Sequence, residues 1–453
     1  MPSGTGPVAA GPGVLHPAWA TVPPVKAGLV ARNVARNETR RLRSTLRDSR
    51  DRRALRRSPT STAAATVVLH FADDDPLTSM YQVRQWYQPL TELHRHMPVA
   101  ISVRSATAAH IITQECSLPV EYLRNTRDLE QHMEVIDPRV VLYVNHWARN
   151  FHVMRYGRAM HVFISHGESE KTYMASGQLR AYDFAFIAGQ AAHDRILAAL
   201  PNYDPAQRTR QIGRPQLDFL PPDRSRQTQV PTVLYAPTYE GDRPSMAYGS
   251  VASHGVGVVS SLISAGYRVI YRPHPMTGTL SEPYRRADRQ VRDLLGRTNA
   301  AQSQGRPRHV IDASAGLDEQ IAESAVAIVD NSAMAFDWLV TGKPLVVTIP
   351  ATEASAGPRT SFLSACYRLA AADAGNAAEL VAHALDNDTL AGQRAYWIER
   401  HFGDVRAGAS MRRFLDATAE IVEYGAQQVH ATQQRAADLA ARTLDPPATS
   451  TDA

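Results

Sequence analysis

Short apolar runs set the rhythm of this chain. Residues 67–71 (Val-Val-Leu-His-Phe), 99–103, 140–144, 161–165 and 184–187 are each four or five residues long. Runs of that length, bounded by polar segments, predict strands covered on both faces. Longer stretches such as 79–94 lie between them and read as helical. A second series follows at 232–235, 267–271, 310–312, 326–329 and 345–349, with a helical stretch at 257–265 and a loop at 301–308. Residues 376–433 read as helical. Strands alternating with helices predict mostly parallel sheets. The expected fold class is therefore α/β, with two Rossmann-like, doubly wound domains facing a cleft.

The same pattern sets boundaries. Residues 1–25 carry no apolar periodicity and read as disordered. Residues 26–57 read as a basic amphipathic helix with a thin apolar stripe (Leu29, Val30, Val34, Leu42, Leu46). An N-terminal α/β domain is expected over 58–222 and a C-terminal one over 230–400. The Pro-rich, polar stretch 221–229 forms a linker between them. C-terminal helices follow over 401–435, then a disordered tail over 436–453. A chain of 453 residues suits this division.

Charge changes the picture in one place. The net charge is +5, yet residues 26–57 hold twelve basic and three acidic residues, a net +9. The remainder carries −4, which argues against a nucleic-acid surface spread over the fold. A basic helix suits an anionic membrane surface, at about 1 kcal/mol per basic residue near it. It equally suits a solvated tail. No apolar run reaches the 18 or so residues that span a bilayer, and residues 1–24 lack the pattern of a secretory signal. Cys116 and Cys366 lie far apart in apolar surroundings and read as buried thiols. The expected location is cytoplasmic.

The candidate chemistry lies at strand ends. After the run 326–329 comes Asp330, a polar turn, and a helix start at Ser332 or Ala333. A helix that begins there points free N–H groups at the carboxyl end of a strand, where anions and the ligands of open α/β sheets bind. An ordinary βαβ crossover with a serine cap has the same sequence. Four further strand ends carry suggestive residues: Ser165-His166-Gly167, Ala236-Pro237-Thr238, Arg272-Pro273-His274-Pro275 and Asp312-Ala313-Ser314. A histidine at one strand end is ordinarily structural. Recurrence over two domains is the stronger signal. Asp73-Asp74-Asp75 reads as a turn or helix cap. Gly255-Val256-Gly257 lacks a third glycine and reads as a loop before a helix.

In this order, five blocks resemble the CDP-glycerol glycerophosphotransferase family, the wall teichoic acid primases and polymerases of Gram-positive bacteria. They are Tyr143 through His152, Ser165-His166-Gly167, Leu234 through Thr238, Arg272 through Pro275, and Asp330-Asn331-Ser332 through Phe336-Asp337 to Gly342-Lys343-Pro344. They span about residues 140–350, roughly half the chain. Where the family has an aromatic and a second serine, this chain has Asn331 and Ala333, which leaves room for a different nucleotide-linked donor. Tyr239 stands where the family often has tryptophan.

The resemblance implies a GT-B-like fold, with the donor nucleotide in the C-terminal domain and the acceptor in the cleft. It implies that a glycerol hydroxyl attacks the β-phosphate of CDP-glycerol and releases CMP, with no cofactor and no metal. His166 resembles the family's proposed base, a role that suits a neutral imidazole. His274 resembles the second histidine, which if protonated would neutralise phosphate charge or assist CMP. Gly167, Thr238, Arg272, Ser332, Ala333 and Asp337 are the expected substrate-binding residues, with Asp337 reaching ribose hydroxyls or His274. Arg272 suits either a phosphate or a structural carboxylate. The expected partners are CDP-glycerol or a related nucleotide-linked donor, a lipid-linked or polyol phosphate acceptor, and an anionic membrane at the inner face of the cell membrane through residues 26–57, with no nucleic acid. Two other readings stay open: a GT-B nucleotide-sugar glycosyltransferase or epimerase, and a non-catalytic protein with a basic tail that binds membrane or nucleic acid.

Overall fold

The computed structural model describes residues 47–52, 55, 64–73, 75–170, 172–241, 248–314, 316–349 and 361–444. The expected disordered segment 1–25, most of the basic segment 26–57, and residues 445–453 lie outside the described residues.

Thirteen strands among the described residues make two sheets. The first contains β1 (Val67–Phe71), β2 (Val99–Val103), β3 (Val120–Tyr122), β4 (Val140–Tyr143), β5 (Met160–Phe163), β6 (Phe184–Ile187) and β7 (Thr209–Gln211). The second contains β8 (Thr232–Ala236), β9 (Arg268–Tyr271), β10 (Val310–Ile311), β11 (Val326–Val329), β12 (Leu345–Ile349) and β13 (Tyr367–Ala370). Their orders are β3-β2-β1-β4-β5-β6-β7 and β10-β9-β8-β11-β12-β13. Every pairing is parallel. Each sheet thus reverses its winding once, between β1 and β4 and between β8 and β11. Crevices at the carboxyl ends of such switch points are where open α/β sheets hold ligands. The central strands β1, β2, β8 and β11 are buried along their whole length, which is why their sequences are unbroken apolar runs.

Helices cover both sheets. They are α1 (Pro76–Ser79), α2 (Tyr81–Arg84), α3 (Tyr87–His94), α4 (Ala106–Glu115), α5 (Thr126–Ile136), α6 (Gln190–Ala199), α7 (Pro205–Arg208), α8 (Val251–Ser264), α9 (Glu282–Ala301), α10 (Asp318–Glu323), α11 (Ala333–Leu339), α12 (Ala377–Asp386), α13 (Ala391–Phe402) and α14 (Ala409–Leu444).

Four departures from expectation have local causes. The helix read over 79–94 is three pieces, and Pro89 sits in the first turn of α3, where its missing N–H does no harm. The Gly255–Gly257 segment is not a loop but lies inside α8. A Cβ at Gly257 would meet Ala374 Cβ at 3.0 Å, so the glycines let this helix pack closely. Edge strands β3, β7 and β13 escaped notice because Val-Glu-Tyr, Thr-Arg-Gln and Tyr-Arg-Leu-Ala carry no apolar run. Residues 436–444, expected to be part of a disordered tail, continue α14, whose Ala- and Gln-rich sequence favours helix.

The last helix crosses back to the first lobe. Met411, Phe414, Ala417 and Ile421 of α14 are buried in the core of the first sheet. Its start is tied to the end of that lobe: Arg214 N donates to Ser410 Oγ at 3.2 Å and Met411 N to Asp218 Oδ2 at 2.6 Å. Gly213, at φ +73°, lies so close to Ser410 and Arg413 that a side chain there would clash. The segment 221–229 forms no strand or helix, and Lys343 Nζ anchors it through Asp223 at 2.7 Å. Residues 47–52, at the end of the basic segment, are helical and docked. Asp48 Oδ1 accepts from Ala106 N at 2.6 Å, and Asp51 Oδ2 from Thr107 Oγ1 at 2.8 Å, so acidic side chains cap the start of α4.

Candidate functional site

The switch point of the second sheet is closed by Asp330. Val329 of β11 pairs with Ala236 of β8, and Asp330 is the next residue. Its carboxylate is fully buried. Oδ2 accepts from Thr238 N at 2.7 Å and Ser250 N at 3.1 Å, and Oδ1 accepts from Thr348 Oγ1 at 2.5 Å. Burial pushes the carboxyl up to about 6 against the pull of those bonds. Asp330 therefore shapes the crevice by pinning the Thr238 loop. Helix α11 starts beyond it, with Ser332 as N-cap, 8% exposed, its hydroxyl capping no backbone N–H.

His274 follows β9 on the same rim. Its backbone N–H donates to Pro237 O at 3.2 Å, and its ring leans on Tyr239 with centroids 5.0 Å apart. Met276 N donates to His274 Nδ1 at 3.1 Å. A ring nitrogen that accepts a hydrogen bond carries no proton, so the proton sits on Nε2. The ring thus presents Nε2–H as its donor. Arg272 takes the structural of its two expected partners: it pairs with Asp312 and reaches Ser314 Oγ at 3.2 Å. Burial raises the Asp312 carboxyl, but the bonds from Ser314 and Arg272 outweigh it and hold it low.

The first lobe presents His166 after β5. Ser165 adopts φ +58°, a left-handed conformation costing about 1–2 kcal/mol for an L-residue. The loop is held there from both sides. Trp86 Nε1 donates to Ser165 O at 2.8 Å, Gln85 Nε2 to His166 O at 2.5 Å, and Ser165 Oγ to Gly167 O at 3.0 Å. His166 Nδ1 lies 2.7 Å from Val144 O. A carbonyl only accepts, so Nδ1 carries the proton and Nε2 keeps its lone pair. The edge of the ring meets Tyr81 at 5.7 Å. Burial, with the Arg214 charge, moves its pKa below the ordinary histidine range. The two histidines thus hold complementary tautomers: an acceptor at His166 Nε2 and a donor at His274 Nε2.

The lobes meet beside this loop. A Cβ on Gly167 would lie 3.7 Å from Ala333 Cβ at the start of α11. Arg214 Nη2 bridges Asp337 Oδ1 of α11 at 2.7 Å and Gln85 Oε1 at 3.2 Å. Asp337 Oδ1 thus accepts from Arg214 across the lobes. Behind the loop, buried Glu168 accepts from Arg195 Nη2 at 2.6 Å. His401 of α13, fully buried, stands between Glu168 at 3.8 Å and Glu170 at 3.5 Å. Burial alone would lower its pKa, but the two carboxylates outweigh burial and raise it.

The fold brings Gly167 to Ala333, links the His166 loop to Asp337 through Gln85 and Arg214, and gathers Thr238 and His274 at the ends of β8 and β9. Gln85, Trp86, Arg214 and His401 were missed. None sits in a motif, and Arg214 follows an edge strand with no apolar run to announce it.

No protein-family model and no curated protein sequence matches the chain. Solved structures do match in fold. The S. aureus MnaA–UDP structure shares 12% identity over 79% of this chain and 97% of its own, with a TM-score of 0.51. The Neisseria meningitidis UDP-GlcNAc 2-epimerase bound to UDP-GlcNAc shares 10% over 78% and 99%, also at 0.51. The wall teichoic acid polymerase TagF, in a structure with CDPG, shares 12% over 86% and 98%, at 0.50. The chain therefore has a GT-B-like fold of two Rossmann-like domains. At these identities the likeness is one of architecture.

Proposed function

We propose that the chain is a transferase that moves glycerol phosphate from CDP-glycerol to a hydroxyl of a lipid-linked or polymeric acceptor, as in the synthesis of teichoic acid-like wall or capsule polymers. The observation that carries this reading is the His166 tautomer, on a loop pressed against the start of α11. His166 Nε2 takes the proton of the acceptor hydroxyl. The oxygen attacks the β-phosphorus, the bond to the CMP oxygen breaks, and CMP leaves. Charge gathering on the phosphoryl oxygens is met by fixed donors, namely His274 Nε2–H and the free N–H groups of the first turn of α11. The five sequence blocks support CDP-glycerol as donor.

A second reading is a nucleotide-sugar glycosyltransferase or epimerase. It is favoured by Asn331 and Ala333, which depart from the glycerophosphotransferase pattern at the donor turn. The deciding experiment incubates the full chain with CDP-glycerol or with UDP-sugars, plus a polyol phosphate acceptor, and follows nucleotide release. CMP supports the first reading. UDP, or an epimerised sugar, supports the second. Release of neither from folded protein removes both.

A further inference from the structure

The first sheet has a switch point of its own, between β1 and β4, that the transfer described above leaves unused. His70 of β1 pairs in register with Ser102 of β2 on one side and Tyr143 of β4 on the other. All three side chains leave the same face of the sheet. Arg104 follows directly on the end of β2, and its charge acts on His70. His70 is 1% exposed, and its Nδ1 lies 2.9 Å from Ser102 Oγ. When the serine hydroxyl donates to Nδ1, the ring proton sits on Nε2. That Nε2 is buried without a hydrogen-bond partner, and so are Nε and Nη1 of Arg104. In that tautomer three donors lack a partner, and leaving such groups unmatched costs about 1–3 kcal/mol each; Oε1 of Glu121, in register with Ser102 on β3, is likewise buried without a partner.

Cationic groups stand near, together with Asp73, two residues past the end of β1. Arg149 and His152 lie on the 3-10 turn Ala148–His152 that follows β4. Arg149 acts electrostatically on Arg104, while Arg104 and His152 act on His70. Asp128, in the first turn of α5, tempers the charge on Arg104. Burial first, and these charges second, push the His70 pKa down to about 3, so the ring is neutral and not a cation.

We propose that this crevice is a phosphoryl-anion subsite, with Arg104 as its principal ligand and His70 Nε2–H behind it, that takes the phosphodiester of the acceptor. Assigning it to the acceptor rests on the transferase reading above; the anion site does not. β5, whose end carries His166, lies two strand spacings from β1, about 10 Å. An acceptor whose attacking hydroxyl stands a few bonds from a phosphodiester spans that gap, as a glycerol phosphate chain end does.

Calorimetry on the full chain, at fixed ionic strength and with saturating CMP, measures binding of inorganic phosphate and of a phosphodiester joining two glycerols. The expected result is that the wild type binds the diester, that Arg104→Gln weakens it at least tenfold, and that CMP affinity stays within twofold. Arg104→Lys, which keeps the charge and loses the fork, is expected to fall between them and guards against a folding defect in the first variant. Unchanged diester binding in both variants overturns the subsite, as does a structure of the wild type in phosphate with only water on Arg104. Binding of inorganic phosphate without the diester overturns the acceptor assignment. Loss of diester binding in Arg104→Gln, in a protein that releases no CMP from CDP-glycerol, leaves the subsite standing and removes the transferase reading.

Discussion

One backbone carbonyl decides what His166 can do. Val144 O fixes the proton on Nδ1 and frees Nε2, while an amide at Met276 does the reverse for His274. His166→Ala is expected to lower kcat by two or more powers of ten, in line with the usual contribution of a general base; CMP release from CDP-glycerol measures it. Burial disfavours the protonated ring, so the base stays competent below the ordinary histidine pKa of about 6.5. The acid limb of kcat/KM is therefore expected below that pH, and a limb above it would remove His166 as the base. Both histidines were legible in the sequence because imidazoles stood at strand ends. Their tautomers were not, since each depends on a backbone group that the fold brings up. The Arg214 partner of Asp337 was not legible for the same reason: it lies 123 residues away in sequence.

At the scale of elements, the strands that were legible are those covered on both faces. β3, β7 and β13 stand at sheet edges; β3 and β13 alternate polar and apolar residues over too few positions to register, and β7, Thr-Arg-Gln, has no apolar residue at all. The C-terminal helix was legible as a helix, but its destination was not, because an amphipathic stripe does not say which core it covers. Phe414→Ala is expected to destabilise the first lobe by about 3–5 kcal/mol, as large-to-small changes of buried aromatics do, with denaturant unfolding as the readout. Truncation after Gln433 removes only side chains that are exposed where described. It is expected to change stability by no more than about 0.5 kcal/mol in the same assay.

At the scale of the whole molecule, the two lobes share charge. His401 belongs to the second lobe, while Glu168, Glu170 and Arg195 belong to the first. Its folded pKa lies above the unfolded value of about 6.5. The protonated ring therefore stabilises the folded state in full below that pH, and the contribution is lost as pH rises through the folded value. The stability gap between the wild type and His401→Gln is expected to shrink between pH 6 and pH 9, and a gap independent of pH would contradict this. Deleting residues 26–57 is expected to reduce sedimentation with anionic liposomes, with the difference fading at high salt. Equal sedimentation of both forms would discard the membrane proposal. The two-domain plan was legible from the alternation of runs. The route by which the chain returns was not.

That return has a mechanical meaning. The polypeptide enters and leaves its second lobe at one stitched crossing, where Arg214 and Asp218 grip the first residues of α14. The second lobe is in effect an insertion whose two ends share one crossing. Any swing against its neighbour has to break the Arg214–Asp337 and His401–Glu170 pairs, and sliding past it requires that the stitch be torn as well.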